Sequence, residues 1–175
     1  MSLDTENSSL SPVPRDLVVF LRERFAIDWN GAHGGSHWSR VRINGLQLAK
    51  LTGADSVIVE FFAFLHDSCR KNEYDDPGHG ARAAELVWRL PQEMLPLSDS
   101  QRDILAEACR GHTGGEAHSN ATVATCWDAD RLDLYRVGIE TDADRLITTF
   151  ARTQQIMDGA RDRALSWLEK RHSSR

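Results

Sequence analysis

The adjacent residues His66 and Asp67 are the most informative pair in this chain, because they close an apolar stretch whose spacing is helical. An isolated histidine, His37, precedes them, and an acidic segment, Asp128-Ala129-Asp130-Arg131-Leu132-Asp133, follows them. Neutral imidazoles and ionised carboxylates together suit borderline to hard divalent cations such as Mn, Fe, Ni, Co or Zn, whereas structural zinc sites are usually closed by thiolates. These residue types therefore predict a catalytic divalent metal site, and with it metal-assisted hydrolysis.

The metal-binding candidates are predicted to lie on three separate helices, since apolar residues recur at helical spacing almost throughout and no alternating run indicates a strand. His37 falls in the first turn of a helix that begins near Ser36 and ends at Gly53. The next helix starts after Asp55 and is apolar nearly all round, which predicts a central position in the bundle. Its buried end delivers His66.

The remaining helices are predicted from prolines, capping residues and apolar spacing. They run from Pro12 and Pro14 to before the Gly31 cluster, from about Pro77 to Leu90, from Ser98 to the corner at 110–112, from about Asn120 to Val137, and from Thr148 to Lys170. No internal repeat or low-complexity linker interrupts them. We therefore expect one all-α, single-domain helical bundle at residues 12–171, preceded by a disordered leader at residues 1–11.

Length, cysteine usage and charge limit the class of protein. A chain of 175 residues favours one domain, and three cysteines without a CxxC pair indicate reduced thiols and a cytoplasmic location. No stretch reaches the roughly 18 apolar residues needed to cross a bilayer, so no membrane partner is expected. The net charge of −5, from 21 Lys and Arg against 26 Asp and Glu, offers no broad cationic surface for duplex nucleic acid. A small phosphorylated substrate is the predicted partner.

The order of three segments resembles the HD-domain metal-dependent phosphohydrolase superfamily. The segments are 37–41 (His-Trp-Ser-Arg-Val), 64–70 (Phe-Leu-His-Asp-Ser-Cys-Arg) and 128–133 (Asp-Ala-Asp-Arg-Leu-Asp), and the resemblance covers about residues 33–137. The pattern of the family is one histidine, then a His-Asp pair, then an aspartate within an Ala-Asp-Arg-Leu segment. The resemblance implies an HD-type helical fold and the metal ligands His37, His66, Asp67 and Asp130.

Asp128 is the alternative to Asp130 as the last ligand. The two residues lie two positions apart and so point about 200° apart on a helix, which makes joint coordination of one ion awkward. Asp130 is preferred because it fills the Ala-Asp-Arg-Leu position. Asp133, three residues further on, is expected to share its face and to orient a ligand or a water molecule.

Arg70 marks the main departure from the family, many of whose members read His-Asp-x-Gly-Lys where this chain reads His-Asp-Ser-Cys-Arg. Arginine keeps the positive charge and adds a planar fork that can hold a phosphate by two hydrogen bonds. Arg70 and Lys71 are therefore expected to balance the charge of a bound phosphate. Arg40 and Asp133 are the other substrate-binding candidates.

His79 and His112 are the further catalytic candidates. In HD proteins with two metals, additional histidines between the His-Asp pair and the final aspartate ligate the second ion, and these two occupy that interval. They could equally protonate the leaving group, and Asp67, if one of its oxygens is free or bridging, could accept the proton of the attacking water. One ion is favoured, with two as the alternative. His118 is a weaker candidate, and His33 is expected to be solvated.

The predicted function is that of a metal-dependent phosphohydrolase, an enzyme acting on a nucleotide or another small phosphoester. A di-iron oxygenase on the same fold is one alternative, and a non-catalytic metal- or nucleotide-binding sensor module is another. Trp38 and Trp127 neighbour the predicted ligand segments, so either ring could line the pocket and stack on a base.

Overall fold

Seven α-helices account for most of residues 11–173, the part of the chain that the computed structural model describes. They are α1 (Arg15–Arg24), α2 (Gly35–Thr52), α3 (Ser56–Leu65), α4 (His79–Arg89), α5 (Asp99–Gly111), α6 (Ala121–Arg131) and α7 (Gln154–Ser173). Two short 3₁₀ helices, Leu134–Val137 and Ala143–Arg145, lie between α6 and α7. The described residues contain no strand and pack as one domain, which confirms the predicted all-α class.

Capping residues fix the ends of several helices where the sequence predicts them. Asp55 accepts hydrogen bonds from two backbone N–H groups in the first turn of α3, at 2.9 and 3.3 Å. Ser98 and Gln101 form a reciprocal capping box at the start of α5, and Asn120 caps α6. Gly53 ends α2 in the left-handed conformation, with a φ of 72° that favours glycine.

Helix α3 lies at the centre of the bundle, as its nearly all-round apolar sequence predicts. Its fully buried side chains include Ile58, Phe61, Phe62 and Leu65. It packs against α1, α2, α5 and α6, while α4 pairs with α5 and α7 contacts α2. Gly45 allows α2 to approach α3 closely, because a Cβ at that position would lie 2.5 Å from Cγ1 of Val59. The C-terminal end of α3 is therefore enclosed by its neighbours.

The stretch between α6 and α7 differs from the sequence-based prediction. The sequence predicts one helix over residues 120–137, but α6 ends at Arg131 and a 3₁₀ helix follows. Gly138 then turns the chain, with a φ of 78°. Asp128 accepts hydrogen bonds from the backbone N–H groups of residues 147 and 148, which holds that stretch in a non-helical conformation. The last helix consequently begins at residue 154, later than predicted.

The predicted disordered leader, residues 1–11, lies outside the described residues except for Ser11. The hydroxyl of Ser11 donates a hydrogen bond to Glu60 Oε2 at 2.7 Å, which ties that residue to α3. Cys109 and Cys126 are buried free thiols, which pack as small apolar residues of the core. Over residues 11–173, none of the helices combines the length and the apolar character that a bilayer crossing requires.

Candidate metal centre

The four predicted metal ligands meet inside the bundle, on α2, at the end of α3 and on α6. His37 Nε2 lies 3.0 Å from His66 Nε2, 3.6 Å from Asp67 Oδ2 and 3.3 Å from Asp130 Oδ1. Both imidazoles are fully buried, and Asp67 is 2% exposed. His37, His66 and Asp67 form a group that could hold a metal ion, with Asp130 beside it.

A second group of potential ligands shares Asp67. His79 Nε2 and His112 Nε2 lie 3.1 and 3.5 Å from Asp67 Oδ1, and 2.8 Å from each other. His79 is the first residue of α4 and His112 directly follows α5, and both side chains are buried. This group could also hold an ion. Asp67 thus presents one carboxylate oxygen to each of two histidine pairs.

Hydrogen bonds at Nδ1 orient all four imidazoles. The acceptors are Asp133 Oδ2 for His37 (2.8 Å), Phe62 O for His66 (3.1 Å), Asp76 O for His79 (2.5 Å) and Cys109 O for His112 (2.7 Å). Because each acceptor is an oxygen, each Nδ1 carries the proton, and a neutral ring then presents an unprotonated Nε2. Nitrogen lone pairs face each other within each pair, an arrangement that is unfavourable unless a cation or a proton lies between them. The donor set therefore fits divalent metal ions.

Burial and neighbouring charges set the protonation of these groups. Burial lowers the pKa of His66 to about 3, despite the raising effect of Asp67 and Asp130. Burial alone would raise the pKa of the Asp67 and Asp130 carboxyl groups. The neighbouring imidazoles outweigh this effect, so the pKa of each carboxyl group is lowered. Burial would also lower the pKa of His112, but its hydrogen bond with Asp67 and the charge of Asp130 raise it. An ion at the second pair would therefore compete with a proton on His112.

Asp133 and Arg40 lie behind His37 and do not line the pocket beside the metal centre. Arg40 Nε and Nη2 donate to the two oxygens of Asp133, at 2.7 and 3.0 Å, and Asp133 has no exposed surface. The Arg40 guanidinium also lies over the Trp167 ring, 4.6 Å from its centroid. Arg40 and Asp133 were predicted to contact the substrate, and this geometry does not fit that prediction. Their charged groups pair with each other, and Asp133 also orients His37.

Asp128 is not placed to bind the same ion as Asp130. Its Oδ1 and Oδ2 accept hydrogen bonds from the backbone N–H groups of Ile147 and Thr148, at 2.7 and 2.8 Å. Its burial raises its pKa. The geometry therefore favours Asp130 as the ligand and gives Asp128 the separate task of holding the chain between α6 and α7.

A cavity of about 540 Å³ adjoins the candidate metal centre and is lined in part by Asp67, His112 and Asp130. Arg70 lines it too, with its Nε donating to Asp67 Oδ1 at 3.0 Å. Half of the lining comes from the segment 134–145, which contains no α-helix. The lining residues from that segment are Leu134, Arg136, Val137, Ile139, Glu140, Thr141, Asp142 and Arg145. A substrate in this cavity would lie directly against the centre.

His33 belongs to the site, although the sequence predicts that it is solvated. Its side chain is buried, its Nδ1 lies 2.9 Å from Asp67 Oδ2, and it lines the cavity. It precedes α2 and so carries no helical spacing relative to His37. Its position among Gly31, Gly34 and Gly35 in a tight loop was the available signal, because such loops bring the backbone close to a site.

Several other candidates lie away from the cavity. Lys71 is exposed and lines a different groove, so its expected contact with a phosphate does not fit the structure. Trp38 packs against the rings of other aromatic residues, and Trp127 donates its indole N–H to a backbone carbonyl. Neither ring lines the cavity, so neither is placed to stack on a bound base. His118 pairs instead with Glu107, at 2.9 Å.

No family model, curated protein or solved structure matches this chain.

Proposed function

We propose that this protein is a metal-dependent phosphohydrolase that acts on a small phosphoester at a centre of two divalent cations. The observation that carries the proposal is the position of Asp67, whose two oxygens each face a pair of imidazole nitrogens. A carboxylate shared by two groups of buried nitrogen donors is suited to bridging two ions about 3.5–4 Å apart. The resemblance to the HD-domain superfamily agrees with this interpretation.

The ligand sets follow from the distances. His37, His66, Asp67 and Asp130 would hold one ion, and Asp67, His79 and His112 would hold the other. Imidazole with carboxylate accepts Mn, Fe, Co, Ni or Zn. When bound, such ions polarise phosphoryl oxygens and lower the pKa of water.

Residues of the chain would position the phosphoester. Arg70 lines the cavity beside Asp67 and supplies positive charge where a phosphate would lie. Both oxygens of Asp67 have partners. Oδ2 lies near His33 and His37, and Oδ1 lies near Arg70 and His79. The expectation that Asp67 accepts the proton of the attacking water applies to a bridging carboxylate, and it stays a prediction.

The cavity lining favours a small aliphatic phosphoester over a nucleotide. Its apolar residues are Leu134, Val137 and Ile139, and its lining includes no Phe, Tyr or Trp from the described residues. A nucleobase is commonly held by stacking on an aromatic ring, and this wall provides none.

Phosphate release from a panel of small phosphoesters, measured with the chain loaded with Mn or Zn, tests the proposal. We expect His66→Ala and Asp67→Ala to abolish release and a chelator to do the same. His118→Ala is the matched control, because this histidine lies outside the centre. Release that persists after complete metal removal would contradict the proposal. Binding of phosphoesters without turnover would instead favour a sensor module.

A di-iron oxygenase is the second candidate, and the presence of four imidazoles around one shared carboxylate favours it. Loading with Fe(II) under anaerobic conditions, followed by exposure to oxygen with the same panel and with matching phosphonates, distinguishes the two. Substrate-dependent oxygen uptake would support the oxygenase. Phosphate release without oxygen would support the hydrolase.

A further inference from the structure

Arg131 and Arg145 are the arginines at the cavity that have no acidic partner. Four arginines line the cavity, namely Arg70, Arg131, Arg136 and Arg145. Arg70 pairs with Asp67 at 3.0 Å, and Arg136 lies 3.8 Å from Asp133. Over residues 11–173, neither Arg131 nor Arg145 forms an ion pair with a carboxylate. The charges of these two arginines are therefore available to an anion that enters the cavity.

Arg131 is held in a fixed position by uncharged partners. It is the last residue of α6 and directly follows Asp130. Its Nη1 donates to the backbone carbonyl of Arg145 at 3.0 Å, and its Nη2 donates to that of Gly115. The guanidinium also lies 6.0 Å from the centroid of the Trp127 ring. A guanidinium has five N–H donors, so these two bonds orient it and leave other donors for a ligand.

Arg145 extends from a backbone that is fixed on both sides. Asp142 caps the 3₁₀ helix that Arg145 ends, and Asp128 binds the backbone N–H groups that follow it. The side chain of Arg145 is exposed, and its charge acts on the Arg131 guanidinium. Like charges repel, so an anion bound by both guanidiniums would stabilise this arrangement.

The arginine pair lies where the cavity at the candidate metal centre meets a second cavity of about 310 Å³. The two cavities share Thr113, Arg131 and Arg145 in their linings. A molecule with one end at the candidate metal centre can therefore extend along the first cavity until its other end lies at the arginine pair.

Four carboxylates near the pair are exposed and do not replace such an anion. Glu140 and Asp142 line the first cavity, and Glu116 and Asp144 line the second. All four are exposed, and Asp142 Oδ1 accepts the backbone N–H of Asp144 at 2.9 Å. Water and salt screen the charges of exposed groups, so these carboxylates only partly offset the positive charge of the pair.

We propose that the substrate carries a second anionic group, a carboxylate or a further phosphate, which Arg131 and Arg145 bind while the first phosphate lies at the metal centre beside Arg70. This inference rests on the proposed function, since that function places the first phosphate. The substrate class is then a small aliphatic phosphoester with an anionic group at each end. A guanidinium binds a carboxylate or a phosphate by two parallel hydrogen bonds, which a neutral tail cannot replace.

Phosphonates, which cannot be hydrolysed, test the inference by calorimetry on the zinc-loaded chain. The ligands 4-phosphonobutyrate and 6-phosphonohexanoate are each compared with their own terminal amide, which has the same length and no second charge. We expect at least one acid to bind about tenfold more tightly than its amide, which is the size of one hydrogen bond between charged groups. Propane-1,3-bisphosphonate and pentane-1,5-bisphosphonate have the same two chain lengths. If they bind more tightly than the acids, the second group is a phosphate, and if they bind more weakly, it is a carboxylate.

Variants of the two arginines test where the second anion binds. The preference for acid over amide should fall below about threefold in Arg145→Gln, whose side chain has no other partner to lose. The melting temperature of this variant should stay within about 2 °C of the wild type. Arg131→Lys keeps the charge but loses the planar fork, so a reduced preference is expected. Arg110→Gln, at an exposed arginine of α5 outside both cavities, is the matched control and should keep the full preference.

The inference is overturned if each acid binds the wild type within about twofold of its amide, or if none of the phosphonates binds. It is also overturned if the full preference survives in Arg145→Gln or in Arg131→Lys, since the anion would then bind elsewhere, for instance to the metal. A preference for the acids without phosphate release from the matching phosphoesters would contradict the proposed hydrolysis and support the second anion site. Equal kcat/KM for phosphoesters with and without the second charge would contradict the site and support the hydrolysis.

Discussion

The Asp133 carboxylate accepts a hydrogen bond from Nδ1 of His37 at 2.8 Å, and neither residue has exposed surface. Arg40 holds the same carboxylate from the other side. Burial alone would raise the pKa of Asp133, but His37 and Arg40 outweigh this effect, so the pKa is lowered. The ionised Asp133 therefore fixes the ring of His37 with its Nε2 atom directed at the other proposed metal ligands.

Replacement of Asp133 by Asn should weaken metal binding while leaving the metal ligands in place. An amide oxygen can still accept from His37, but it lacks the charge that balances Arg40 and strengthens the imidazole as a ligand. We expect metal affinity to fall about 10- to 100-fold, as measured by competition with a chromophoric chelator. Asp103→Asn, at an exposed position of α5, is the control. Unchanged affinity in Asp133→Asn would refute this role.

Asp128→Ala should destabilise the fold and keep the metal. The substitution leaves the backbone N–H groups of Ile147 and Thr148 without their acceptors, which costs about 1–3 kcal/mol of unfolding free energy. Urea denaturation gives that cost, and elemental analysis gives the metal content. A variant that folds normally but loses metal would show that Asp128, and not Asp130, is the ligand.

Arg102 is a buried structural residue that the sequence analysis does not single out. Its Nη1 donates to the carbonyls of Val87 and Leu90, at 2.7 and 3.0 Å, and its Nη2 donates to that of Leu95 at 2.7 Å. The guanidinium thereby satisfies carbonyls at and beyond the end of α4.

Arg102→Met should consequently lower the unfolding free energy by about 2–4 kcal/mol, since several buried carbonyls lose their donor at once. Denaturant unfolding measures the change. Arg110→Met, at an exposed position on the same helix, should shift stability by no more than about 0.5 kcal/mol. Equal effects of the two substitutions would show that the network around Arg102 adds no stability.

Metal binding should stabilise the folded chain strongly, because the ligands come from α2, α4 and α6 and from the residues that follow α3 and α5. At a metal concentration about 100 times the dissociation constant, binding to the folded state adds about 2.7 kcal/mol to the free energy of unfolding. For a domain of this size that corresponds to a rise in Tm of about 5–10 °C. Differential scanning calorimetry with and without Mn or Zn measures it, and Asp67→Ala should lose most of the rise, because Asp67 belongs to both groups.

The fold and the metal-binding candidates could be predicted because their signals are local. Helical spacing identified α3 as central, and its apolar sequence placed His66 and Asp67 at a buried end. His37 and Asp130 became ligand candidates through the resemblance of their segments to the HD-domain pattern. The capping residues Asp55, Ser98 and Asn120 marked helix starts for the same reason, since a cap acts within one turn.

The remaining site residues could not be predicted because their roles depend on contacts between distant segments. Arg40 and Asp133 are 93 positions apart, and their charges suggested substrate contacts until the fold joined them. His33 lies on a loop whose path the periodicity does not determine. The end of α6 was also misplaced, because Asp128 stabilises the non-helical stretch that follows through backbone groups far along the chain.

Metal stoichiometry tests the shared carboxylate most directly. Elemental analysis of the metal-loaded chain should find two ions in the wild type and in the His118→Ala control. It should find one ion in His79→Ala and in His112→Ala, and none in Asp67→Ala, since Asp67 serves both groups. A wild-type chain that retains only one ion or none, or a His79→Ala variant that retains as many ions as the wild type, would contradict the two-ion centre.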